Sequence, residues 1–176
     1  HNPSYIVKGY KIVNDVKPGG IFLLNCQWTP EEVEKHLPAE AKKYIAENDV
    51  KFYIVNAIDK AREIGMGKRT NTILQSAFFA LANIMPIEEA VDYMKAAAKK
   101  SYLKKGEAVV EMNYKAIDAG VDAIVKIDVP ASWKDAKTEE KASEVKSNRP
   151  EMVKFVNEIL KPVGMMQGDS VPVSVF

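Results

Sequence analysis

The sequence predicts an α/β fold: a three-layer α/β/α sandwich on a mostly parallel sheet. Three observations carry this. Ile21-Phe22-Leu23-Leu24 and Val50 to Val55 are near-continuous apolar runs, the pattern of strands covered on both faces, as in parallel sheets. A strong helix start, Thr29-Pro30-Glu31-Glu32, lies between them, so the order reads strand–helix–strand. The composition is 47% hydrophobic and 28% charged over 176 residues, as in an ordinary globular chain of one domain, or of one domain with a tail.

The elements follow in order. Asn2-Pro3-Ser4 marks a turn, and Tyr5, Ile6, Tyr10, Ile12, Val13 and Val16 fit a short helix that Lys17-Pro18-Gly19-Gly20 breaks. After the first strand, Thr29 can cap a helix, Pro30 suits its first position, and Glu32 can complete a capping box. Pro38 restarts the helix, which continues through Ala41, Tyr44 and Ile45. The second strand, apolar except at Lys51, leads to a helix from about Ala57 to Ile64. Ile73, Leu74, Ala77, Phe78, Phe79, Leu81 and Ala82 are apolar on nearly every face, which predicts a central, buried helix. Pro86 opens a helix with the stripe Ile87, Ala90, Val91, Met94, Ala97 and Ala98. Gly106 separates it from another, about Glu107 to Ala119. Val121 to Val129 fits either a strand or a helix end. Residues 130–150 are charged and low in large apolar residues, Trp133 excepted, and read as a linker. A short helix from Met152 to Leu160 and an extended tail complete residues 151–176.

Only two strands are clear, too few for a parallel sheet with helices on both faces. The sandwich is therefore expected to be truncated at its N-terminus, with residues 1–129 its C-terminal part and further strands elsewhere. The ends agree with a piece of something longer: the chain opens on His1 rather than Met, and Val171 to Phe176 stops without a polar terminus.

Composition excludes several function classes. Lys plus Arg total 25 and Asp plus Glu 24, a formal net charge of +1, so no global basic field exists to hold nucleic acid or an anionic membrane. One Cys allows no intramolecular disulfide and no Cys-ligated zinc or iron–sulfur site from this chain alone. Two His, one of them terminal, argue against a His-rich metal site. No apolar run reaches the ~18 residues of a membrane span, and no signal peptide is visible. A reducing cytosol is the simplest home for such a chain.

The segment best suited to chemistry is Gly65-Met66-Gly67-Lys68-Arg69-Thr70-Asn71, just before the helix of Ile73. Its glycines permit φ > 0. The helix start offers unpaired N–H groups and a positive dipole end, Lys68 and Arg69 add charge, and Asn71 can donate and accept. This is either a phosphate cradle or a helix-joining loop with solvated basic residues; it matches neither a Walker A loop nor a dinucleotide fingerprint. Asn113 sits mid-helix, where its amide competes for backbone groups. It points to solvent or serves a specific partner. Lys99, Lys100, Lys104 and Lys105 surround Tyr102 and suit either an acidic partner or a solvated helix end. Cys26 ends a strand but has no evident cation to lower its pKa, so a buried inert thiol is expected. His36 reads as a surface residue, capping explains Glu31 and Glu32, and no catalytic acid, base or metal ligand is assigned.

Several runs together resemble one family. They are His1-Asn2-Pro3-Ser4-Tyr5, Lys17-Pro18-Gly19-Gly20 with Phe22-Leu23-Leu24-Asn25, Tyr44-Ile45-Ala46-Glu47-Asn48, Gly67-Lys68-Arg69-Thr70-Asn71, Gln75-Ser76-Ala77-Phe78-Phe79, Lys104-Lys105-Gly106-Glu107, Met112-Asn113 and Pro130-Ala131-Ser132-Trp133. In this order they are similar to the part of pyruvate:ferredoxin (or flavodoxin) oxidoreductases that corresponds to the γ subunit of multi-subunit 2-oxoacid oxidoreductases. Gln167 to Ser174 is similar to the stretch leading into that enzyme's ferredoxin-like domain. Lys68 departs from the pattern, standing where the family usually has a second glycine.

The resemblance implies an enzyme that oxidises a 2-oxoacid, usually pyruvate, with CoA to acyl-CoA and carbon dioxide. Thiamine diphosphate carries the carbanion chemistry, and electrons pass through iron–sulfur (4Fe-4S) clusters to ferredoxin or flavodoxin. It implies that this chain is the CoA-binding domain, with thiamine diphosphate and clusters bound outside it. Its partners would be other domains of the same chain, and the parent would be a homodimer. Asn71 and Asn113 match positions that contact CoA, with Arg69 beside the first. The alternatives are a free-standing nucleotide-binding module that regulates a partner, and a structural spacer without a ligand.

Overall fold

In the computed structural model, residues 3–8, 10–137, 145–165 and 167–175 are described. His1 and Asn2 of the opening motif, and 138–144 of the predicted linker, lie outside them. Helix α1 (Ser4–Val7) and a 3-10 turn (Ile12–Asp15) precede strand β1 (Ile21–Asn25). Then come α2 (Pro30–His36), α3 (Ala39–Glu47) and β2 (Lys51–Val55). Four helices follow: α4 (Ala57–Ile64), α5 (Asn71–Ala82), α6 (Ile87–Tyr102) and α7 (Glu107–Asp122). Strand β3 (Ile124–Lys126) closes the sheet, and α8 (Pro150–Phe155), a π turn (Val156–Leu160) and α9 (Lys161–Gly164) lie beyond it.

The sheet order is β1-β2-β3. The two strands read from the sequence are parallel neighbours, with Ile21 opposite Lys51 and Asn25 opposite Val55. The α/β class stands, but the sheet is small and mixed rather than mostly parallel. β3 runs antiparallel to β2, pairing Val55 with Ile124 and Tyr53 with Lys126. Four helices separate β2 from β3, and α7 delivers the chain to the carboxyl end of β2, with only Ala123 between, so that Ile124 meets Val55 and β3 runs back along β2. This settles the ambiguous stretch 121–129: the helix runs to Asp122 and a three-residue strand follows.

Strand alternation divides the packing. Leu24, Cys26, Phe52 and Ile54 meet Val33 of α2 and Ile45 of α3 in the main core, where the Phe22 and Phe52 rings stack at 5.6 Å. On the alternate face the buried Asn25 accepts the Ala57 N–H through Oδ1 at 3.1 Å, fixing the start of α4. Ala57 and Ala61 of α4, Ile73 of α5 and Ala116 of α7 form a second cluster. The capping box of α2 is complete: the Thr29 hydroxyl accepts the Glu32 N–H, and the Glu32 carboxylate accepts the Thr29 N–H.

Four regions depart from the sequence expectation. The N-terminal helix read from Tyr5 to Val16 is two pieces, α1 and the 3-10 turn Ile12–Asp15, with Val16 outside both. Helix α5 buries only Ile73, Ser76 and Ala77, while Phe78 is 54% exposed; uniform apolarity says nothing of how many neighbours a helix meets. The stretch read as a linker begins with a docked 3-10 turn, Ala131–Asp135. It sits against α3, with Trp133 buried and its Nε1 donating to Glu34 at 3.2 Å. The tail is not extended, since Gly168–Ser170 and Val173–Val175 form 3-10 turns.

Candidate functional site

The candidate site is the head of the α5–α7 pair. Helix α4 ends at Gly65, whose φ of 90° is left-handed, and the Met66 N–H closes onto the Ala61 carbonyl at 2.8 Å. Such a C-cap suits glycine because it has no Cβ. Gly67 repeats the conformation with φ 62°, and nothing lies within 4 Å of where its Cβ would be. Two left-handed glycines within three residues turn the chain back into α5. Lys68, Arg69 and Asn71 are exposed. Thr70, the N-cap, makes no side-chain cap, so no side chain occupies the first N–H groups of α5, the groups an anion uses.

Behind this loop, α5 and α7 pack closely. A Cβ at Gly120 would lie 2.3 Å from the Ile73 carbonyl oxygen and 2.7 Å from Ser76 Cβ, so only glycine fits the present spacing. The buried Ser76 hydroxyl donates to the Ile117 carbonyl. Asn113 lies further toward the start of α7 and is only 3% exposed. Its Nδ2 donates to the Val109 carbonyl at 2.8 Å, and its Oδ1 accepts from the Thr72 hydroxyl at 3.3 Å. Asn113 therefore does not point to solvent; Thr72, next to Asn71, is its partner. The structure brings the start of α5 and Asn113 to one place.

A cleft of about 410 Å³ opens between α5, α6 and α7, lined among others by Thr72, Gln75, Phe79, Tyr93, Met94 and Asn113. Arg69 and Asn71 do not line it. Ser101 and Tyr102 do, and Lys105 Nζ stands 5.5 Å from the Tyr102 ring centroid, so part of the lysine cluster adjoins the cleft. The sequence reading missed Thr72, Gln75, Tyr93 and Gly120. A signal existed for the last: Ala116 and Gly120 are small residues one turn apart in a helix, the mark of close helix approach.

The remaining candidates are structural. Cys26 is fully buried, and desolvation raises its thiol pKa against a smaller opposing hydrogen bond with the Trp28 backbone. His36 is exposed on α2 and stacks on Trp28 at 4.6 Å. Beyond the carboxyl ends of β1 and β2, Asp59 accepts from Asn56 Nδ2 and Gln27 Nε2, each at 2.8 Å, and from Arg62 at 3.1 Å. These bonds, Asn56 first, hold its carboxyl below the usual range. Among the described residues no group of three or more His, Cys, Asp or Glu could hold a metal ion. No helix among them is long and apolar enough to cross a membrane.

Known proteins resemble the chain throughout. A family profile described as "Pyruvate ferredoxin/flavodoxin oxidoreductase" matches residues 1–123. The pyruvate:ferredoxin oxidoreductase of Moorella thermoacetica is 44% identical over 176 residues, covering 100% of this chain and 14% of that protein. The pyruvate-flavodoxin oxidoreductase of Enterobacter agglomerans is 45% identical over 173 residues, 98% of this chain and 14% of its own length. A pyruvate dehydrogenase [NADP(+)] of Cryptosporidium parvum is 40% identical, covering 100% of this chain and 10% of its own length. The chain thus spans 14% or less of the length of these curated relatives.

Proposed function

Because the chain belongs to the pyruvate ferredoxin/flavodoxin oxidoreductase family, we propose that it is the CoA-binding piece of an enzyme that converts pyruvate and CoA to acetyl-CoA and carbon dioxide. Electrons leave that enzyme for ferredoxin or flavodoxin. The observation that supports this is the bond between the buried amide of Asn113 and Thr72, the residue that follows the Gly65–Asn71 loop, at the edge of the cleft. CoA brings a diphosphate and a 3′-phosphate. Arg69 supplies charge for these groups, the uncapped first turn of α5 supplies N–H donors, and Asn71 is free to donate or accept. Asn113 retains a second amide hydrogen and a second lone pair beside the cleft. CoA itself, as a substrate, contributes the thiol that receives the acyl group.

These residues do not fit the iron–sulfur clusters of the reaction. The chain's single thiol is Cys26, buried in the core, whereas a 4Fe-4S cluster takes four thiolates. Thiamine diphosphate and the clusters belong, in this proposal, to the remainder of a longer polypeptide. That polypeptide forms a homodimer in a reducing cytoplasm, with its other domains as the first partners of this one. Steady-state kinetics on the full-length enzyme test the assignment. Asn71→Ala and Asn113→Ala should each raise the apparent constant for CoA, leaving that for pyruvate little changed. A hydrogen bond to a neutral or charged group contributes about 0.5–3 kcal/mol, and each ~1.4 kcal/mol is tenfold, so shifts from a few-fold to about a hundredfold are expected. Unchanged CoA constants in both variants would refute the proposal.

A further inference from the structure

Two bonds at the wall of the α5–α6–α7 cleft fix each other's direction. The side-chain amide of Asn113 faces the Val109 carbonyl at 2.8 Å and the Thr72 hydroxyl at 3.3 Å. A backbone carbonyl only accepts, so the side of the amide turned to Val109 must be its NH2 group. The reverse orientation would set two acceptors face to face. Oδ1 therefore turns to Thr72, and the Thr72 hydroxyl commits its single proton to it.

What remains is a defined pattern. Asn113 keeps one Nδ2 hydrogen, a donor, and the Thr72 oxygen keeps its lone pairs, an acceptor. Both residues line the cleft, and among the described residues no charged side chain lines it. A donor beside an acceptor is the complement of an amide, whose carbonyl accepts and whose N–H donates. A phosphate matches poorly, because its oxygens only accept. To bond one, the Thr72 hydroxyl would have to turn away and leave the Asn113 oxygen, in a side chain only 3% exposed, without its partner, and a buried acceptor left unpaired is costly. Phe79, Tyr93 and Met94 on the same walls offer apolar surface to an uncharged chain on either side of such an amide.

We propose that Thr72 and Asn113 together recognise an amide group, which in CoA is an amide of the pantetheine arm: the Asn113 N–H donates to the amide oxygen, and the amide N–H donates to Thr72. Thr72 is then a specificity-determining residue, and it acts on the uncharged arm. The phosphates fall to the exposed loop of Arg69 and Asn71, which do not line the cleft. A short carbon link joins the diphosphate of CoA to the first amide of its arm, and Asn71 and Thr72 are consecutive. This rests on the CoA-binding reading above and divides the ligand between the two parts of the site.

Competition against CoA in the full-length enzyme tests it with two halves of the ligand. S-methylpantetheine has the amides and neither phosphate nor free thiol; adenosine 3′,5′-bisphosphate has phosphates and no pantetheine arm. Thr72→Val keeps the shape and removes the hydroxyl. It should raise the inhibition constant of S-methylpantetheine about two- to tenfold, the effect of one neutral hydrogen bond, with that of the bisphosphate unchanged. Thr72→Ser keeps the hydroxyl and should recover most of the loss. Equal rises for both probes would reduce Thr72 to a structural role, and a rise for the bisphosphate alone would set a phosphate at the pair; either result overturns the proposal. So does an unchanged S-methylpantetheine constant in Thr72→Val while Asn113→Ala still raises the constant for CoA, an outcome that leaves the CoA reading intact. If Asn71→Ala and Asn113→Ala both leave the CoA constant unchanged, the CoA assignment falls and the amide pair with it.

Discussion

The seam between α5 and α7 and the loop at its head are adjacent in space and opposite in character. The seam is held by a glycine that admits no Cβ, a buried hydroxyl bonded to a backbone carbonyl, and an amide with two partners. The loop holds exposed cations and an exposed amide on two left-handed glycines, with no side-chain cap on the helix it enters. The difference teaches how the candidate site divides its labour. One wall is positioned by packing and cannot be altered without cost to the fold. The other is free to meet a ligand and can be altered with little cost.

The hardest way to break this contrast is at the seam. Gly120→Ala places a methyl 2.3 Å from the Ile73 carbonyl oxygen, so the helices must separate. Overpacking of this kind costs about 1–3 kcal/mol, a fall of several degrees in Tm by calorimetry; an unchanged Tm would mean that the seam is slack. Asn113→Ala sits on the boundary and should act on both sides. It strands the Thr72 hydroxyl, for a stability loss of about 1–3 kcal/mol in denaturant titration, and under the proposed assignment it should also raise the CoA constant. Asn71→Ala and Arg69→Ala sharpen the contrast from the other side, with Tm held within about 1 °C while the CoA constant rises. The Arg69 effect should shrink with added salt, since an exposed cation is screened.

Smaller effects lie outside the site. Burial and a raised pKa should leave Cys26 unalkylated by iodoacetamide in the folded chain, and labelling should follow unfolding. Asp59, with its carboxyl held low, stabilises the fold above its unfolded pKa of about 3.9. That contribution is lost as pH falls through the lower folded value. The Tm difference between the protein and Asp59→Asn, present at pH 7, should therefore close in strong acid.

The legible parts of the sequence were those set by local chemistry. Thr29 and Glu32 declared their capping box, and the runs at Ile21 and Val50 declared parallel neighbours, because short-range bonding and continuous apolarity leave few alternatives. What depended on distant partners was hidden. Periodicity showed that α5 is apolar but not that Phe78 would lack cover, and nothing near Trp133 named Glu34 as its partner. The Gly65–Asn71 loop was visible through its glycines and charges. Asn113 was visible only as an oddity in a helix, since its meaning depends on Thr72, 41 residues away.

Where the tryptophans lie has a practical consequence. The chain has two, Trp28 and Trp133, and both pack against the main core with α2 and α3. The helices carrying the candidate site have none. Tryptophan emission therefore reports one half of the molecule, while circular dichroism at the helical band reports both, weighted toward α5, α6 and α7. The two spectra form a built-in pair of local and global thermometers. Coincident melting curves would indicate a single cooperative unit, and an early dichroic loss at constant emission would time the release of the α5–α7 side separately from the rest.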